Sequence, residues 1–343
     1  MTIKVTVRPY RRRFHQPLQT AHGVWTERAG ALLQLRDDRG RVVYGEIAPI
    51  PWFGSETLEA ALEFCQALAG TLAADEGIPA RLPATQFAIG SALRQLDPSP
   101  RPPRGGGSRH THSCFEPESL EPDVICGLLP AGEAMLGGWP PRVALGHRTL
   151  KWKIGVFPVA HELAWLDQLV NDLPSHCRLR LDANGGLTAS EAAHWLEHCD
   201  RVNANPHSCT IEHLEQPLPP DQWPDLVRLS QRHNTAIALD ESVATLPQLR
   251  ACHRQGWTGV YVVKPAIAGS PQQLQDFCRQ CSPPQLVFSS VFETRVGRQA
   301  ALAVAAACYQ GRSPIPALGF GTQGQFDDDW DIWPPSHIWN QLR

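Results

Sequence analysis

The stretch Thr149-Leu-Lys-Trp-Lys-Ile-Gly155 decides which fold and which chemistry this sequence predicts. Its pattern is typical of a strand, on which side chains two residues apart project to the same face. Lys151 and Lys153 therefore lie side by side. If that face points into the protein, two ammonium groups share a region where an unpaired charge is costly. The alternative is an exposed edge strand with both lysines in water, which an isolated Lys-X-Lys motif favours.

Charged residues also end the strand-like runs that follow. Asp182 ends Leu-Arg-Leu-Asp, Glu215 ends Ile-Glu-His-Leu-Glu, and Asp240 ends Ala-Leu-Asp. Lys264 ends the next run, Val-Val-Lys. One such acid alone is typical of a helix N-cap or a solvated loop. Charges at five consecutive strand ends are hard to explain by solubility, so the set predicts that the lysines face acidic partners.

Short apolar strands alternate with amphipathic helices from about residue 123 onward. Parallel strands with helical crossovers, in this number, are what a TIM-type barrel requires. A doubly wound open sheet is the alternative, but no Gly-x-Gly-x-x-Gly follows the early strands. The eight predicted strands are 124–129, 149–154, 178–182, 209–214, 236–240, 259–264, 286–290 and, with the weakest pattern, 316–320.

Residues 1–97 form a separate predicted unit, in which strands precede helices. Alternating apolar runs are typical of an antiparallel meander, and this order of elements indicates an α+β domain. The predicted strands are 2–10, 30–37 and 41–47, and the predicted helices are 56–72 and 85–96.

The rest of the chain divides into three predicted parts. Residues 98–122 form a linker or surface loop, because 98–113 is rich in Pro, Gly and Arg and cannot bury much apolar surface. Residues 123–321 form the catalytic barrel. Residues 322–343 form a C-terminal segment that we expect to pack back on the N-terminal domain.

Composition excludes several classes of protein. The chain of 343 residues balances 31 basic against 34 acidic residues, with no basic block that could follow a phosphate backbone, so we expect no nucleic-acid partner. No run approaches the roughly 20 apolar residues of a membrane span, and the N-terminus lacks the apolar run of a signal peptide. The 10 scattered cysteines predict reduced thiols in the cytoplasm. Cys278-Arg-Gln-Cys281 lacks the second pair that a zinc site needs.

The charged strand ends suit one kind of chemistry. Three converging carboxylates repel one another unless a divalent cation lies between them, and all-oxygen ligation suits Mg²⁺. Such an ion, flanked by lysines, fits removal of a weakly acidic proton beside a carboxylate, because it stabilises the enediolate that forms. The lysine that acts as the base must be neutral. We expect the charge of Lys151 to lower the pKa of Lys153 toward that state.

These motifs, in this order, resemble the enolase superfamily and, within its muconate-lactonizing-enzyme-like subgroup, the o-succinylbenzoate synthase family. Further segments that carry the resemblance are Tyr44-Gly-Glu-Ile-Ala-Pro-Ile-Pro-Trp-Phe-Gly-Ser-Glu-Thr57, Leu128-Leu-Pro-Ala-Gly132 and Ser289-Ser-Val-Phe-Glu-Thr294. The resemblance covers nearly all of the chain. It implies an α/β fold, the modified TIM barrel (β/α)7β with an N-terminal α+β capping domain.

The resemblance implies syn-dehydration of 2-succinyl-6-hydroxy-2,4-cyclohexadiene-1-carboxylate to 2-succinylbenzoate, a step of menaquinone and phylloquinone biosynthesis. Lys153 would remove the proton and then protonate the departing hydroxyl. Lys264 would hold its charge against the enediolate and the substrate ring, and Lys151 would contact the substrate carboxylate. The implied ligands of Mg²⁺, which Mn²⁺ can replace, are Asp182, Glu215 and Asp240.

Four further residues are candidate substrate contacts or support for the metal site. Ser289 and Ser290 belong to the seventh barrel strand, where the family has a similar run. Bare backbone at Gly319 could approach a substrate carboxylate, although a plain turn explains this glycine equally well. Asn184 follows Asp182 by two residues and either orders the metal ligands or is an ordinary turn residue.

Some features leave alternatives open. The loop Thr20-Ala-His-Gly-Val-Trp25 is expected to close over the substrate, but His22 stands where the family commonly has Arg or Asp, and a surface histidine is the alternative. An N-acylamino acid racemase or a dipeptide epimerase would use Lys153 and Lys264 as two bases. A non-catalytic barrel that binds a ligand or partner is a further alternative, but such a protein would lack some of these lysines and acids, and the set is complete here. The sequence leaves the oligomeric state open, with a monomer as one option.

Overall fold

The computed structural model describes residues 3–20, 23–68, 70–72, 77–96, 120–282 and 285–342. His22 and the segment 98–113 lie outside these residues, so the predictions made for them stay predictions.

An antiparallel sheet of four strands, in the order β3-β2-β1-β4, forms the N-terminal part. Two helices pack on it, and α2 lies close to β3 because residue 45 is a glycine, at which any Cβ would collide with the carbonyl oxygen of Ala88. The strands are β1 (Ile3–Thr20), β2 (Gly23–Arg36), β3 (Val42–Ile47) and β4 (Thr71–Leu72), and the helices are α1 (Leu58–Ala67) and α2 (Pro83–Leu96).

Two predictions for this part were wrong. The helix predicted to reach residue 72 ends at Ala67, because Gly70 adopts a left-handed φ of 76° and Thr71–Leu72 pair with the start of β1. The loop predicted before Trp25 is in part a strand. Trp25 pairs with Leu18, so β1 and β2 form a hairpin much longer than the sequence pattern indicated.

A parallel sheet of seven strands follows, with its strands in chain order. Helices connect the strands, as in a barrel. The strands are β5 (Cys126–Leu128), β6 (Thr149–Lys153), β7 (Arg178–Asp182), β8 (Thr210–Glu215), β9 (Ala236–Leu239), β10 (Val260–Val263) and β11 (Leu286–Phe288). The helices are α3 (Met135–Ala144), α4 (Val159–Asp172), α5 (Ala189–Asn203), α6 (Trp223–Arg232), α7 (Leu246–Arg254), α8 (Pro265–Ala268), α9 (Pro271–Cys278) and α10 (Arg295–Tyr309), with α11 (Pro335–Gln341) after the barrel.

The ring closes through a segment around Leu318 and Gly319. Leu318 bridges to Ile125 before β5, and Gly319 bridges to Ser289 after β11, both in parallel. The Leu318 carbonyl accepts a hydrogen bond from Cys126 N at 2.8 Å. The predicted eighth strand 316–320 is thus reduced to two isolated bridges, although it lies where the eighth barrel strand should be.

The alternation along β6 decides which way its lysines point. Trp152 is fully buried and packs edge-on against Trp195 of α5, with ring centroids 6.1 Å apart. Trp152 therefore faces the helix layer. Its neighbours Lys151 and Lys153 project to the opposite side, into the barrel, and are only partly exposed.

One buried carboxylate joins the N-terminal sheet to the barrel. Glu46 at the end of β3 is 1% exposed and accepts hydrogen bonds from the hydroxyls of Tyr10 and Thr294. It also accepts from Thr294 N at 2.8 Å and Gly297 N at 2.8 Å, which belong to the first turn of α10. A carboxylate is favourable there, because a helix N-terminus exposes N–H groups and carries partial positive charge.

The C-terminal segment lies against β1. Arg12, which is 1% exposed, pairs with Asp328 at 2.7 Å and Asp331 at 3.0 Å. Its guanidinium also stacks 3.7 Å from the ring centroid of Phe326. Arg8 donates to the Trp339 carbonyl at 2.9 Å. None of the helices in the described ranges is both long enough and apolar enough to cross a bilayer.

Glu46→Gln tests how strongly this carboxylate joins the two parts. We expect the free energy of unfolding to fall by about 2 kcal/mol, because the new amide places its own N–H groups against hydrogen-bond donors. Urea denaturation followed by tryptophan fluorescence measures the change. The exposed Glu63→Gln in α1 is the matched control. Equal stability of the two variants would contradict this role for Glu46.

Candidate active site

The structure brings the predicted charged residues together at the carboxyl ends of neighbouring strands. Lys153, Asp182 and Glu215 occupy the same level of β6, β7 and β8, because Lys153 pairs with Asp182 and Asp182 pairs with Glu215. Asp240 and Lys264 each come directly after the next two strands, β9 and β10. Since parallel strands end at one edge, local strand geometry alone gathers these side chains.

Lys151 lies between two of the acids. Its Nζ is 2.6 Å from Asp182 Oδ2 and 2.6 Å from Glu215 Oε1. Burial lowers the pKa of Lys151, but the carboxylates of Asp182, Glu215 and Asp240 outweigh it and raise this pKa well above its usual value. A raised pKa disfavours the neutral amine, so Lys151 is a poor base.

The pKa of Lys153 is shifted in the opposite direction to that of Lys151. Burial lowers the pKa of Lys153, the charges of Asp182 and Glu241 raise it, and the charge of Lys151 lowers it further, with a net lowering. The lowered pKa agrees with the expected direction. The expected cause is only a minor one, because burial contributes more than the neighbouring ammonium group does.

Lys264 faces this group from the far side of the barrel. It pairs with Asp240, and its Nζ lies 4.1 Å from the ring centroid of Phe53 in the N-terminal part. An ammonium group over an aromatic face is stabilised by the ring quadrupole. The ring of Phe53 thus lies against the ammonium group of the Lys264–Asp240 pair.

The three acids are buried and strongly influence one another. Burial, and next the charge of Glu215, raise the pKa of Asp182. Burial raises the pKa of Asp240 well above its usual value despite the opposing charge of Lys264. Burial also acts to raise the pKa of Glu215, but Lys151 and His213 lower it below its usual range. Burial is the largest influence on all three carboxylates, and a buried carboxylate is costly unless a cation compensates its charge.

A divalent cation would compensate that charge, and the donor set fits one in part. A single ammonium group touches oxygens of both Asp182 and Glu215, so one cation can reach both carboxylates. The three acids supply only oxygen ligands, which hard ions prefer. In the described part of the chain, however, no three His, Cys, Asp or Glu side chains already surround a common point. Asp240 is turned to Lys264 instead, so its role as third ligand stays a prediction.

Asn184 and Glu241 lie next to the acids. Asn184 has a φ of 46°, as a turn residue does, and its backbone N donates to Asp182 Oδ1 at 3.1 Å. Its side chain donates to Glu241 Oε1 at 3.2 Å. Burial, and then the charge of Asp182, raise the pKa of Glu241. Sequence reasoning missed Glu241, although its place in Asp-Glu-Ser after a strand was a usable signal.

The hydroxyl groups of the two serines predicted to contact the substrate already form hydrogen bonds within the protein. Ser290 Oγ donates to Glu293 Oε1 at 3.0 Å and accepts from Phe292 N at 2.9 Å. Ser289 Oγ bonds the Gly319 carbonyl at 3.3 Å. A Cβ at residue 319 would lie 2.6 Å from Ser289 Oγ. Close packing at the ring closure therefore accounts for this glycine without a substrate.

Aromatic side chains gather above the strand ends, and sequence reasoning missed them as a group. Trp25 meets Phe14, Trp52 and Phe292 edge-on, with ring centroids 5.0, 5.1 and 5.6 Å away. These rings come from β1, β2, the segment after β3 and the segment after β11. They join the N-terminal sheet to the barrel on the side where Phe53 covers Lys264.

Comparison with known proteins gives consistent matches along the chain. A family model described as Enolase C-terminal domain-like matches residues 141–326, and one described as MenC, N-terminal domain, matches residues 8–96. The chain is 40% identical over 317 residues to an o-succinylbenzoate synthase of Thermosynechococcus vestitus, covering 92% of this chain and 91% of the relative. It is 29% identical to that of Edwardsiella ictaluri, over 84% of this chain and 81% of the relative.

Solved structures agree with these sequence matches. A crystal structure of o-succinylbenzoate synthase from Thermosynechococcus elongatus, complexed with Mg in the active site, superposes with a TM-score of 0.82 at 37% identity, covering 99% of this chain and 100% of that one. The L-Ala-D/L-Glu epimerase of Bacillus subtilis shares the fold, with a TM-score of 0.72 at 19% identity over 95% of this chain and 91% of that one. These matches confirm the predicted modified TIM barrel with its N-terminal capping domain.

Lys151→Met tests whether this lysine holds the acids together. We expect a loss of about 3 kcal/mol in the free energy of unfolding in EDTA, because Asp182 and Glu215 would be left buried beside each other without their shared cation. Urea denaturation at neutral pH measures it, with the exposed Lys4→Met in β1 as the control. A Lys151→Met variant as stable as the control would show that the ammonium group is dispensable.

Proposed function

Because the chain belongs to the o-succinylbenzoate synthase family of the enolase superfamily, we propose that it converts 2-succinyl-6-hydroxy-2,4-cyclohexadiene-1-carboxylate to 2-succinylbenzoate and water. The observation that carries the proposal is the set of lysines and acids at five consecutive strand ends, with Lys153 and Lys264 on opposite sides. Catalysis by proton transfer needs a base whose pKa is shifted toward the working pH, and Lys153 is shifted in that direction.

Lys153 carries the proton in this proposal. Its neutral amine takes the proton from the ring carbon that bears the carboxylate, so the C–H bond breaks and Lys153 becomes an ammonium group. The neighbouring C–O bond then breaks, and the same ammonium group returns the proton to the departing hydroxyl, which leaves as water. One residue serves both steps on one face of the ring, which gives syn elimination. The ring becomes aromatic, and Lys153 is neutral again.

Lys264 remains a cation on the opposite side. Its pairing with Asp240 and its position under Phe53 hold the ammonium group in place. From there it stabilises the negative charge that develops on the substrate when the proton leaves. The aromatic side chains from the N-terminal part cover the strand ends, and we assign to them the exclusion of water from the substrate.

Asp182, Glu215 and Asp240 would hold Mg²⁺, and Mn²⁺ suits the same oxygen donors. When bound, the ion supplies a Lewis acid for the charge that develops on the substrate carboxylate. The burial of these carboxylates and the ammonium group shared by Asp182 and Glu215 support a cation there. Asn184 fits a supporting role, because it contacts Asp182 directly.

We place the reaction in the cytoplasm. The nine cysteines within the described ranges are all free and buried, as expected of a protein kept in a reducing compartment. The proposed partner is the small carboxylate substrate itself.

Lys153→Ala should reduce kcat by about 1,000-fold or more, because the base and the acid of the reaction are removed together. Steady-state dehydration of the cyclohexadiene carboxylate measures the loss, while circular dichroism and a Mg²⁺ titration check that fold and metal binding persist. Lys4→Ala is the exposed control. Retention of more than a few per cent of the activity would remove Lys153 from this role.

Hydrogen exchange in D₂O, measured beside the dehydration assay, separates dehydration from racemisation. A racemase would exchange the α-hydrogen of N-succinyl amino acids in D₂O, whereas we expect fast dehydration and little exchange. Rapid exchange with slow dehydration would favour a racemase of the same superfamily.

Removal of the metal tests whether the three acids are ligands of Mg²⁺. EDTA should abolish activity and Mg²⁺ should restore it, and Asp240→Asn should raise the Mg²⁺ concentration needed for half-maximal activity by about tenfold or more. Activity titrations with Mg²⁺ measure this, with Asp225→Asn at the start of α6 as the control. An unchanged Mg²⁺ requirement in Asp240→Asn would count against Asp240 as a ligand.

A further inference from the structure

Gln216 follows Glu215 and is completely buried. Its side-chain Oε1 accepts hydrogen bonds from the backbone N of Asp240 at 2.9 Å and of Ser242 at 3.1 Å. Its Nε2 donates to the Leu218 carbonyl at 2.8 Å and to Ser242 Oγ at 2.8 Å. An amide has two donor hydrogens and two acceptor lone pairs, so every hydrogen-bonding position of this side chain is used.

The backbone of Gln216 makes two further links. Its N donates to the Ala238 carbonyl of β9 at 2.7 Å, and its carbonyl accepts from Gly185 N at 2.7 Å. Gly185 belongs to the turn that follows Asp182. One residue therefore contacts the segments that follow β7 and β9, and it is itself the first residue after β8.

The backbone conformation of Gln216 is unusual, with a φ of 36°. A non-glycine residue in this region costs about 1–3 kcal/mol and persists only where its surroundings hold it. Here the hydrogen bonds of side chain and backbone hold it. The conformation turns the amide toward the segment that carries Asp240.

The hydrogen bond between the Gln216 side chain and the backbone of Asp240 links Gln216 to the proposed metal site. Strand β9 ends at Leu239, so Asp240 lies just beyond the ladder, with φ −123° and ψ −75°. Its backbone N–H is bound by the side chain of Gln216. The amide thus fixes the Cα of Asp240, and with it the origin of the carboxylate, relative to the neighbouring Glu215.

We propose that Gln216 is a positioning residue that keeps Asp240 and Glu215 at the mutual distance needed to bind one Mg²⁺. This inference rests on the proposed function, which assigns those acids to the metal. Gln216 does not bind the ion or the substrate itself. It acts through the backbone of one ligand and through its chain connection to the other.

Three variants separate positioning from general stabilisation. Gln216→Met keeps the volume but removes the acceptor that holds Asp240 N. Gln216→Glu keeps that acceptor and loses the two donors, so its carboxylate faces the Leu218 carbonyl and Ser242 Oγ. The control is Asn203→Leu, because the Asn203 amide bridges Ile211 of β8 and Thr235 before β9 at the other end of these strands.

The experiment measures the Kd for Mg²⁺ of each full-length chain by calorimetry, without substrate, beside its urea denaturation. We expect Gln216→Met to weaken Mg²⁺ binding by about 10- to 100-fold, the range found when a residue that orients a metal ligand is lost. Gln216→Glu should lose stability but bind Mg²⁺ no more weakly than the wild type, because its oxygen still holds Asp240 N and its added negative charge attracts the cation. Asn203→Leu should lose stability with an unchanged Kd. If Gln216→Met does not fold, Gln216→Asn, one methylene too short to reach Asp240 N, replaces it.

The outcomes are distinguishable. An unchanged Kd in a folded Gln216→Met or Gln216→Asn would overturn the positioning role, and so would Kd values that merely follow stability across all variants. A wild-type chain that binds no Mg²⁺ would overturn the proposed function and this inference with it.

Discussion

The ammonium group of Lys151, 2.6 Å from both Asp182 and Glu215, shows the constraint on which the site depends: buried charges of one sign must share a partner of the other. The barrel satisfies it by placing lysines on β6 and after β10, on either side of the three strands β7, β8 and β9 whose ends carry the acids. Lys264 pairs with Asp240 as Lys151 does with Asp182 and Glu215. The lysines then compensate the buried acids, whose oxygens are also the ligands that a divalent cation prefers. Chemistry and folding therefore use the same side chains.

The N-terminal sheet depends on a related principle. Glu46 directs its carboxylate at the N-terminus of α10, so backbone N–H groups help to balance its charge. Arg12 is compensated in the opposite sense, by two aspartates of the C-terminal segment. These contacts hold the aromatic side chains over the strand ends. The aromatic side chains that cover the site are thus positioned by interactions that lie outside the site.

Sequence patterns predicted most of the barrel and its charged rim, because the alternation in a strand and the residue at its end are local properties. The two-residue spacing of Lys151 and Lys153 already determined that they share a face. Local patterns failed where distant partners decide the structure. Leu72 pairs with β1 instead of extending a helix, and Leu318 and Gly319 close the ring with only isolated bridges. Phe53 and Gln216 belong to motifs that carry the family resemblance but were assigned no role, because only the folded chain shows what their side chains contact. The pKa of Lys153 had the predicted direction, but burial as its main cause cannot be read from adjacent residues.

The ring closure at Leu318 and Gly319 has a consequence for how the protein is made. The bridges that join β5 to β11 come from a segment synthesised after both of them. A nascent chain on the ribosome can form the parallel strands in succession, but its sheet keeps two open edges until this late segment has emerged. The first strand, β5, waits longest for its second neighbour, so its unprotected edge is a risk during translation.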